Sequence, residues 1–155
     1  MSSPIARRVL FGALFFALTI PAFAVGPAFA AGPASTAVTV ADARLVRTVI
    51  EAQLAAFAKD DAKRAFAYAA PNIRDMFGSP EKFMDMVRAG YPVVYRPALV
   101  AFLKPERVGP HLIQRVQLTD QSGVLWSATY TMERQKDKSW RIGGCTVVQN
   151  EGQFT

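Results

Sequence analysis

The sequence is poor in the residues that build disulfides and metal sites, with a single cysteine, Cys145, and a single histidine, His111. One cysteine excludes an intramolecular disulfide, so the fold must rely on its hydrophobic core. A transition-metal site needs several converging ligands, and this pair does not supply them. A catalytic thiol needs a nearby base, and no histidine lies close to Cys145 in sequence. We therefore predict no metal, no cofactor and no catalytic residue, while an intermolecular disulfide or redox role for Cys145 stays open.

The sequence also lacks a large excess of charge of one sign. The formal net charge is +6, from 18 bases and 12 acids, and the bases are scattered among the acids. The densest basic group, Arg134, Lys136 and Lys138, falls in a predicted hairpin turn, where charged side chains are usually solvated. A nucleic-acid-binding surface needs a dense basic stripe interleaved with aromatic residues. The sequence therefore predicts no nucleic-acid partner.

A long apolar run occurs near the N-terminus. Residues 1–31 contain no acid, and adjacent Arg7 and Arg8 precede a largely apolar stretch over residues 9–20. This order is typical of a secretory signal peptide. The alternative, an uncleaved anchor, would need about 20 apolar residues to cross the bilayer. We therefore predict residues 1–31 to be a signal peptide, with no stable membrane insertion after cleavage.

The predicted signal peptide indicates that the protein is located outside the cytoplasm. Small residues precede two possible cleavage sites, after Ala24 and after Ala30, and both stay open. The residues around the two arginines match a twin-arginine signal only in part, which favours general secretion. We predict a periplasmic or secreted protein in which residues 32–40 form a flexible lead-in and residues 41–155 form one domain.

The first half of this domain has helical periodicity. Thr39 and Asp42 resemble a capping box, which predicts a helix start with the acid reaching back to the cap. Apolar residues then recur every three or four positions, at Leu45, Val46, Val49, Ile50, Leu54 and Phe57. Further signals predict a second helix over 62–70 capped by Asp60 or Asp61, a turn over 72–77 after Pro71, and a third helix from Ser79 to Gly90.

After Gly90 the apolar period changes to two, which is typical of strands. We predict strands near 93–96, 98–104, 111–119, 124–134 and 139–149. Helices followed by strands joined through short turns predict an α+β domain, with N-terminal helices packed on one face of a curved antiparallel sheet of four to five strands. Gly143 and Gly144 indicate a bulge in the last strand.

Aromatic residues on the sheet supply candidate ligand contacts. Trp126 and Tyr130 share one face of the fourth strand, and we predict that they line a cavity together with Tyr95, Phe102 and Gln114. The alternative is that these are ordinary core residues. Gln114 places an amide on an apolar face, so it needs hydrogen-bond partners from the protein, water or a ligand.

Several short motifs resemble a known family. They are Gln53-Leu54 with Phe57, Ala65-Phe66, Trp126-x-Ala128-x-Tyr130-x-Met132 and, most specifically, Trp140-Arg141-Ile142-x-Gly144-Cys145. Together they look like a group of short exported bacterial proteins catalogued as domain of unknown function 4864. That group is similar to the cone-shaped fold of nuclear transport factor 2 and ketosteroid isomerase. The resemblance implies a fold and an exported address, and it brings no catalytic residue, since fold does not supply function.

These observations favour a non-enzymatic binding module for a small apolar ligand or a protein partner. The alternative is a pocket enzyme of the ketosteroid-isomerase or dehydratase type. It requires His111 or an acid to converge with Tyr95 or Tyr130 inside a pocket. A homodimer formed through the open sheet face is a further expectation.

Overall fold

The computed structural model describes residues 37–150, so the predicted signal peptide and the final residues 151–155 lie outside the described part. Helices come first in the chain and strands follow. The helices are α1 Val40–Ala58, α2 Ala62–Ala67, α3 Pro71–Phe77, α4 Pro80–Gly90 and α5 Pro92–Tyr95. The strands are β1 Leu99–Phe102, β2 Glu106–Val108, β3 His111–Thr119, β4 Leu125–Arg134 and β5 Trp140–Gln149.

Helix α1 begins where the capping signal predicts. The Thr39 hydroxyl accepts a hydrogen bond from the backbone N–H of Asp42 at 3.0 Å, which satisfies one of the free donors of the first turn. The Asp42 carboxylate does not reach back to the cap as predicted, because it bonds to the indole of Trp140. The predicted apolar stripe is confirmed at its centre, but Leu45 lies on the exposed side of the helix.

Local signals also set the next helices. The Asp61 carboxylate accepts from the backbone N–H of Arg64 at 2.9 Å and caps α2. This helix is shorter than predicted, because the segment after it turns towards β5. There the backbone N–H of Ala70 donates to the carbonyl of Ile142, and the N–H of Ile142 donates to the carbonyl of Tyr68, both at 2.9 Å. Pro71 then opens α3 at its first position, as the fixed φ of proline favours.

The predicted strand over 93–96 is wrong, because this segment forms helix α5. Pro92 occupies the first helical position, and the backbone N–H groups of Val94 and Tyr95 donate to the carbonyl of Tyr91 at 2.9 Å. Two adjacent valines favour a strand locally. However, Val93 and Val94 are both buried in the core, and tertiary packing overrides a weak propensity.

The strands form one antiparallel sheet with the order β1-β3-β4-β5, and β2 pairs with the first residues of β3. Strand β2 falls where no strand was predicted, whereas β3 has the predicted bounds. In the β4–β5 register, Thr131 faces Gly144 and Met132 faces Ile142, so Gly143 is the extra residue of a bulge. The α+β architecture and the glycine bulge predicted from the sequence are therefore confirmed.

The core lies between the helices and the inner face of this sheet. The inner face is formed by alternate residues of β3, β4 and β5, with the buried set Leu112, Val116, Leu118, Ala128, Tyr130, Met132, Trp140 and Ile142. The buried face of α1 packs against it through Val46, Ile50 and Phe57. Within residues 37–150, no helix combines the length and the apolar character needed to cross a bilayer.

Candidate functional site

A cavity of about 240 Å³ lies between the helices and strands β4 and β5. Helix α1 contributes Gln53 and Phe57, and Tyr130 lies on β4. The other lining residues are Ala69, Ile73, Met76, Phe77, Phe83, Met86, Val87, Tyr91, Val94, Ile142, Gly144 and Cys145. Among these described lining residues none carries a charge, so the cavity presents an almost entirely apolar surface.

Aromatic rings pack around one side of the cavity. The ring centroid of Phe83 lies 5.5 Å from that of Phe77 and 6.0 Å from that of Phe57, in tilted or edge-on arrangements. A further ring, Phe66, is not part of the cavity lining and packs on Phe83 at 5.5 Å between centroids. Such ring pairs favour tilted and edge-to-face geometry, and they hold one another in place. The apolar wall is therefore built from mutually packed rings on α1, α3 and α4.

The polar groups of the cavity come from Tyr130, Tyr91, Cys145 and Gln53. Tyr130 and Cys145 are directly opposite each other on β4 and β5. Tyr130 is only 1% exposed, and its hydroxyl has no hydrogen-bond partner among the described residues. Gln53 is also buried, and its amide nitrogen donates to the carbonyl of Ala65 at 3.1 Å. A buried hydroxyl without a partner is uncommon in folded proteins. This end of the cavity is therefore a candidate position for a polar group of a ligand.

Loss of hydration keeps both opposed side chains neutral, fully buried Tyr130 and half-buried Cys145 alike. It raises the pKa of Tyr130 well above the ordinary value of 10.0, and the nearby Cys145 raises it further. Burial also raises the pKa of Cys145 to about 12, although a weak polar interaction with the Tyr130 hydroxyl, outside hydrogen-bond geometry, opposes this shift. A low-polarity environment disfavours the charged form of each acid. The cavity can therefore surround an apolar body and offer neutral hydrogen-bonding groups to it.

The family profile described as domain of unknown function DUF4864 matches residues 39–155. The chain belongs to this family. No curated protein gave a significant match. An NTF2-like protein of unknown function from Methylobacillus flagellatus KT has a similar solved structure. The TM-score is 0.55 at 14% identity, with 76% of this chain and 98% of that chain covered.

A second NTF-2 like protein of unknown function, from Silicibacter pomeroyi DSS-3, is similar at a TM-score of 0.50 and 16% identity. The comparison covers 73% of this chain and 100% of the other. At such low identities the likeness concerns the fold alone. The DUF4864 domain therefore has an NTF2-like fold, as the sequence motifs around Trp126 and Trp140 predicted.

The DUF4864 fold separates the five residues predicted to line one cavity. Tyr130 lines the cavity described above, whereas Phe102 and Gln114 line a more open one of about 450 Å³ beside the start of α1. The Gln114 amide nitrogen donates to the carbonyls of Leu103 and Arg115 at 2.7 and 2.8 Å. The protein itself therefore satisfies this donor.

Tyr95 and Trp126 line neither of these two cavities. The Tyr95 hydroxyl bonds to the Asp60 carboxylate in a surface cluster, where Arg88 and Arg96 lie 2.7 and 3.0 Å from the same acid. Hydrogen bonds from Tyr95 and Arg88 lower the pKa of Asp60. The half-buried Trp126 donates its indole N–H to Asp120 at 2.9 Å. A role of these two residues in ligand binding stays a prediction.

Residues of the short helices were missed as cavity lining, because each one taken alone matches an ordinary core pattern. Phe77 and Met86 are examples, and they meet only when α3 and α4 fold back on the sheet. Asp42 was predicted only as a capping residue, and its burial beside Trp140 was not predicted. Its signal was available in Trp140, because a buried indole N–H needs an acceptor.

Potential metal ligands do not gather in the described part of the domain. Residues 37–150 hold no cluster of three or more histidine, cysteine or acidic side chains in metal-binding positions. His111 lies at the start of β3, as predicted, and it is absent from the lining of both cavities.

Proposed function

We propose that this DUF4864 protein is exported and that its domain binds a small, uncharged, largely apolar molecule in the 240 Å³ cavity. The single observation that carries the proposal is a ring-lined cavity with no charged residue in its described lining. Ligand sites are typically concave, mostly apolar and equipped with a few polar groups, and this cavity has all three properties. The basic and apolar leader over residues 1–31 supports export.

The volume suggests the size of the ligand. An engineered apolar cavity of about 150 Å³ in another protein binds benzene, and sites for drug-sized molecules begin near about 300 Å³. A cavity of about 240 Å³ falls between these sizes. It therefore suits a molecule of one or two rings, or a short branched chain.

The lining also defines the charge of the ligand. An ion placed in an apolar cavity loses its hydration and must be paired, or it shifts its protonation and becomes neutral. Charged residues adjacent in sequence to the lining include Arg74, Asp75 and Asp85, which are exposed and lie outside the lining set. We therefore expect the cavity to reject carboxylates, sulfonates and amines.

A route into the cavity is available beside α3. Met76 is one of the lining residues, and it is 72% exposed. Ile73, one helical turn before Phe77, is half-buried in the same lining. This edge of α3 is therefore the place where a substitution can fill the cavity from its mouth without entering the core.

The proposal is tested by binding of matched aromatic probes. We expect naphthalene to bind the purified protein and naphthalene-2-sulfonate to fail, because the two share a ring system and differ in charge. Ile73→Trp should weaken naphthalene binding by about tenfold or more by filling the mouth, a loss of about 1.4 kcal/mol. Leu45→Trp, on the exposed side of α1, is the matched control and should bind as the wild type does.

Equal binding of both probes, or no effect of Ile73→Trp, would contradict the proposal. If naphthalene alone binds, native mass spectrometry of the protein recovered from its own cell envelope should identify the natural ligand as a mass lost on denaturation. Recovery of the protein in the cytoplasmic fraction with residues 1–31 still attached would contradict export.

The enzyme alternative gains no support from the cavity. It needs a histidine or an acid inside a pocket with Tyr95 or Tyr130, and the described lining of the cavity around Tyr130 has neither. Tyr95 does meet an acid, Asp60, but both side chains lie in an exposed cluster. The binding proposal is therefore the one that the geometry favours.

The homodimer through the sheet stays a prediction. Leu99, Leu125 and Val148 are more than half exposed, and the strand registers place all three on the outer face of the sheet. Sedimentation velocity over a range of concentrations tests whether this face associates. A single unchanging sedimentation coefficient at the monomer value would contradict it.

A further inference from the structure

We infer that the ligand carries a neutral oxygen that accepts a hydrogen bond from the Tyr130 hydroxyl at the sheet end of the cavity. The inference rests on the proposed function and adds a chemical class to it. The candidates are ketones, esters, ethers and similar molecules in which an apolar body ends in one uncharged acceptor.

The Tyr130 hydroxyl carries a proton that has no acceptor within residues 37–150. Tyr130 lines the cavity, and its buried hydroxyl has no partner in hydrogen-bond geometry among the described residues, although the Cys145 thiol lies close enough to affect its pKa. Folded proteins usually pair buried polar groups, and an unpaired one often serves a ligand or a bound water. Because Tyr130 is part of the cavity wall, a bound molecule would lie against this buried residue.

The polar side chains near Tyr130 do not supply a strong acceptor for its proton. Cys145 faces Tyr130 across the two strands, and its thiol stays protonated because burial raises its pKa to about 12. A thiol is a weak donor and a weak acceptor, so it cannot replace a strong acceptor for the phenol. The amide nitrogen of Gln53 already donates to the carbonyl of Ala65, and the other lining phenol, Tyr91, is only half-buried. The buried hydroxyl of Tyr130 is therefore the lining group that most needs an acceptor.

An ionised acceptor does not fit the described lining. A carboxylate would accept from Tyr130 more strongly than a ketone does, but the described lining holds no cation to balance its charge. Because an unpaired anion would also lose its hydration, a neutral acceptor is the better match. Fatty acids and other amphiphilic anions therefore fall outside the expected ligand class.

The test uses tetralin and 1-tetralone, which share a bicyclic body and differ by one carbonyl oxygen. We expect wild-type protein to bind 1-tetralone more tightly than tetralin. Tyr130→Phe should reduce this preference by about threefold to tenfold, as expected for one neutral hydrogen bond. Tyr68→Phe is the matched control, because Tyr68 is half-buried outside the lining, and it should leave the preference unchanged.

The free protein provides a second readout. Because the Tyr130 hydroxyl lacks a partner, Tyr130→Phe should leave the melting temperature of the ligand-free protein unchanged or slightly raised. The same variant should show a smaller rise in melting temperature with 1-tetralone than the wild type does. A hydroxyl with only a structural role would show the opposite pattern, a lower melting temperature and an unchanged ligand preference.

The outcomes separate the two proposals. If both probes bind and Tyr130→Phe leaves their ratio unchanged, the acceptor inference is wrong while the apolar binding site stands. If neither probe binds, the proposed function is wrong and the inference falls with it. If the ratio collapses only in Tyr130→Phe, both proposals are supported.

Discussion

The indole N–H of Trp140 donates to the carboxylate of Asp42 at 3.2 Å, which joins two residues 98 positions apart in the chain. Both side chains are buried. Arg134 and Arg107 approach the same carboxylate at 3.4 and 3.7 Å. The first turn of α1 is therefore tied to the beginning of β5 by one acid that serves an indole and two guanidinium groups.

Removal of this acid should destabilise the domain. Asp42→Ala leaves the buried indole without its acceptor and removes the charge that faces Arg107, so we expect a loss of about 3 kcal/mol in the free energy of unfolding. Asp42→Asn keeps an acceptor oxygen, and its loss should be smaller, about 1 to 2 kcal/mol. Urea unfolding measures both. The control is Asp75→Ala, an exposed position, and an equal effect there would contradict this reasoning.

The turn acid Asp120 should contribute to acid sensitivity. The Trp126 indole and then the backbone N–H of Val124 lower the pKa of Asp120 below the ordinary 3.8. A carboxyl whose pKa is lowered by folding stabilises the protein above its unfolded value, and this contribution is lost as the pH falls through the folded value. Asp120→Asn should therefore reduce the fall in melting temperature between about pH 6 and about pH 3.

Trp126→Phe tests the cause of this effect, because it removes the first of the donors to Asp120 while the acid stays in place. Its acid sensitivity should lie between those of the wild type and Asp120→Asn. The effect is partial in every case, since Asp60 and Asp137 also have lowered pKa values. An Asp120→Asn profile that overlies the wild-type profile would contradict the prediction.

The thiol of Cys145 should be unreactive in the folded protein. Its pKa of about 12, against an ordinary 9.0, lowers the thiolate fraction by about 10³-fold near neutral pH. We expect iodoacetamide to label the native protein at least about 100-fold more slowly than the protein in urea, because the thiolate is the nucleophile. Mass spectrometry reads the labelling at this single cysteine without ambiguity. Native and unfolded rates of similar size would show that the thiol is exposed and ionised.

The bulge at Gly143 should be specific for glycine because of one neighbour. A Cβ placed on Gly143 would overlap the side chain of Glu133. Gly143→Ala alone should therefore cost about 1 kcal/mol through overpacking. In a Glu133→Ala background the same substitution should be neutral or stabilising, because alanine reduces the entropy of the unfolded chain. Equal costs in both backgrounds, measured by urea unfolding, would show that Glu133 is not the cause.

Much of the fold could be predicted from short-range chemistry. The caps at Thr39, Asp61 and Ser79, and the strand β3, follow from signals within a few residues of each site. The failures are long-range. Helix α5 was predicted to be a strand, because its valines favour one until the core buries them.

The cavity was predictable in part. Tyr130 could be identified from strand alternation, which places it on the buried face of β4. The helical half of the lining could not, because Phe77 and Phe83 meet only through the angle at which α3 and α4 fold back. Gly78 and Ser79, which connect α3 to α4, indicate a helix boundary but do not determine the angle between the two helices. Spacing along the chain therefore predicts faces, while their convergence depends on tertiary packing.

The bonds that Tyr68 and Ala70 make to Ile142 also affect solubility. Strand β5 ends the sheet, and an exposed edge can template pairing with another chain. Here the connection between α2 and α3 lies alongside β5 and occupies both backbone groups of Ile142. The backbone of a second molecule therefore cannot pair with Ile142. A strand of another molecule could pair with β5 only beyond the bulge at Gly143. Fewer consecutive backbone groups are available there to hold it.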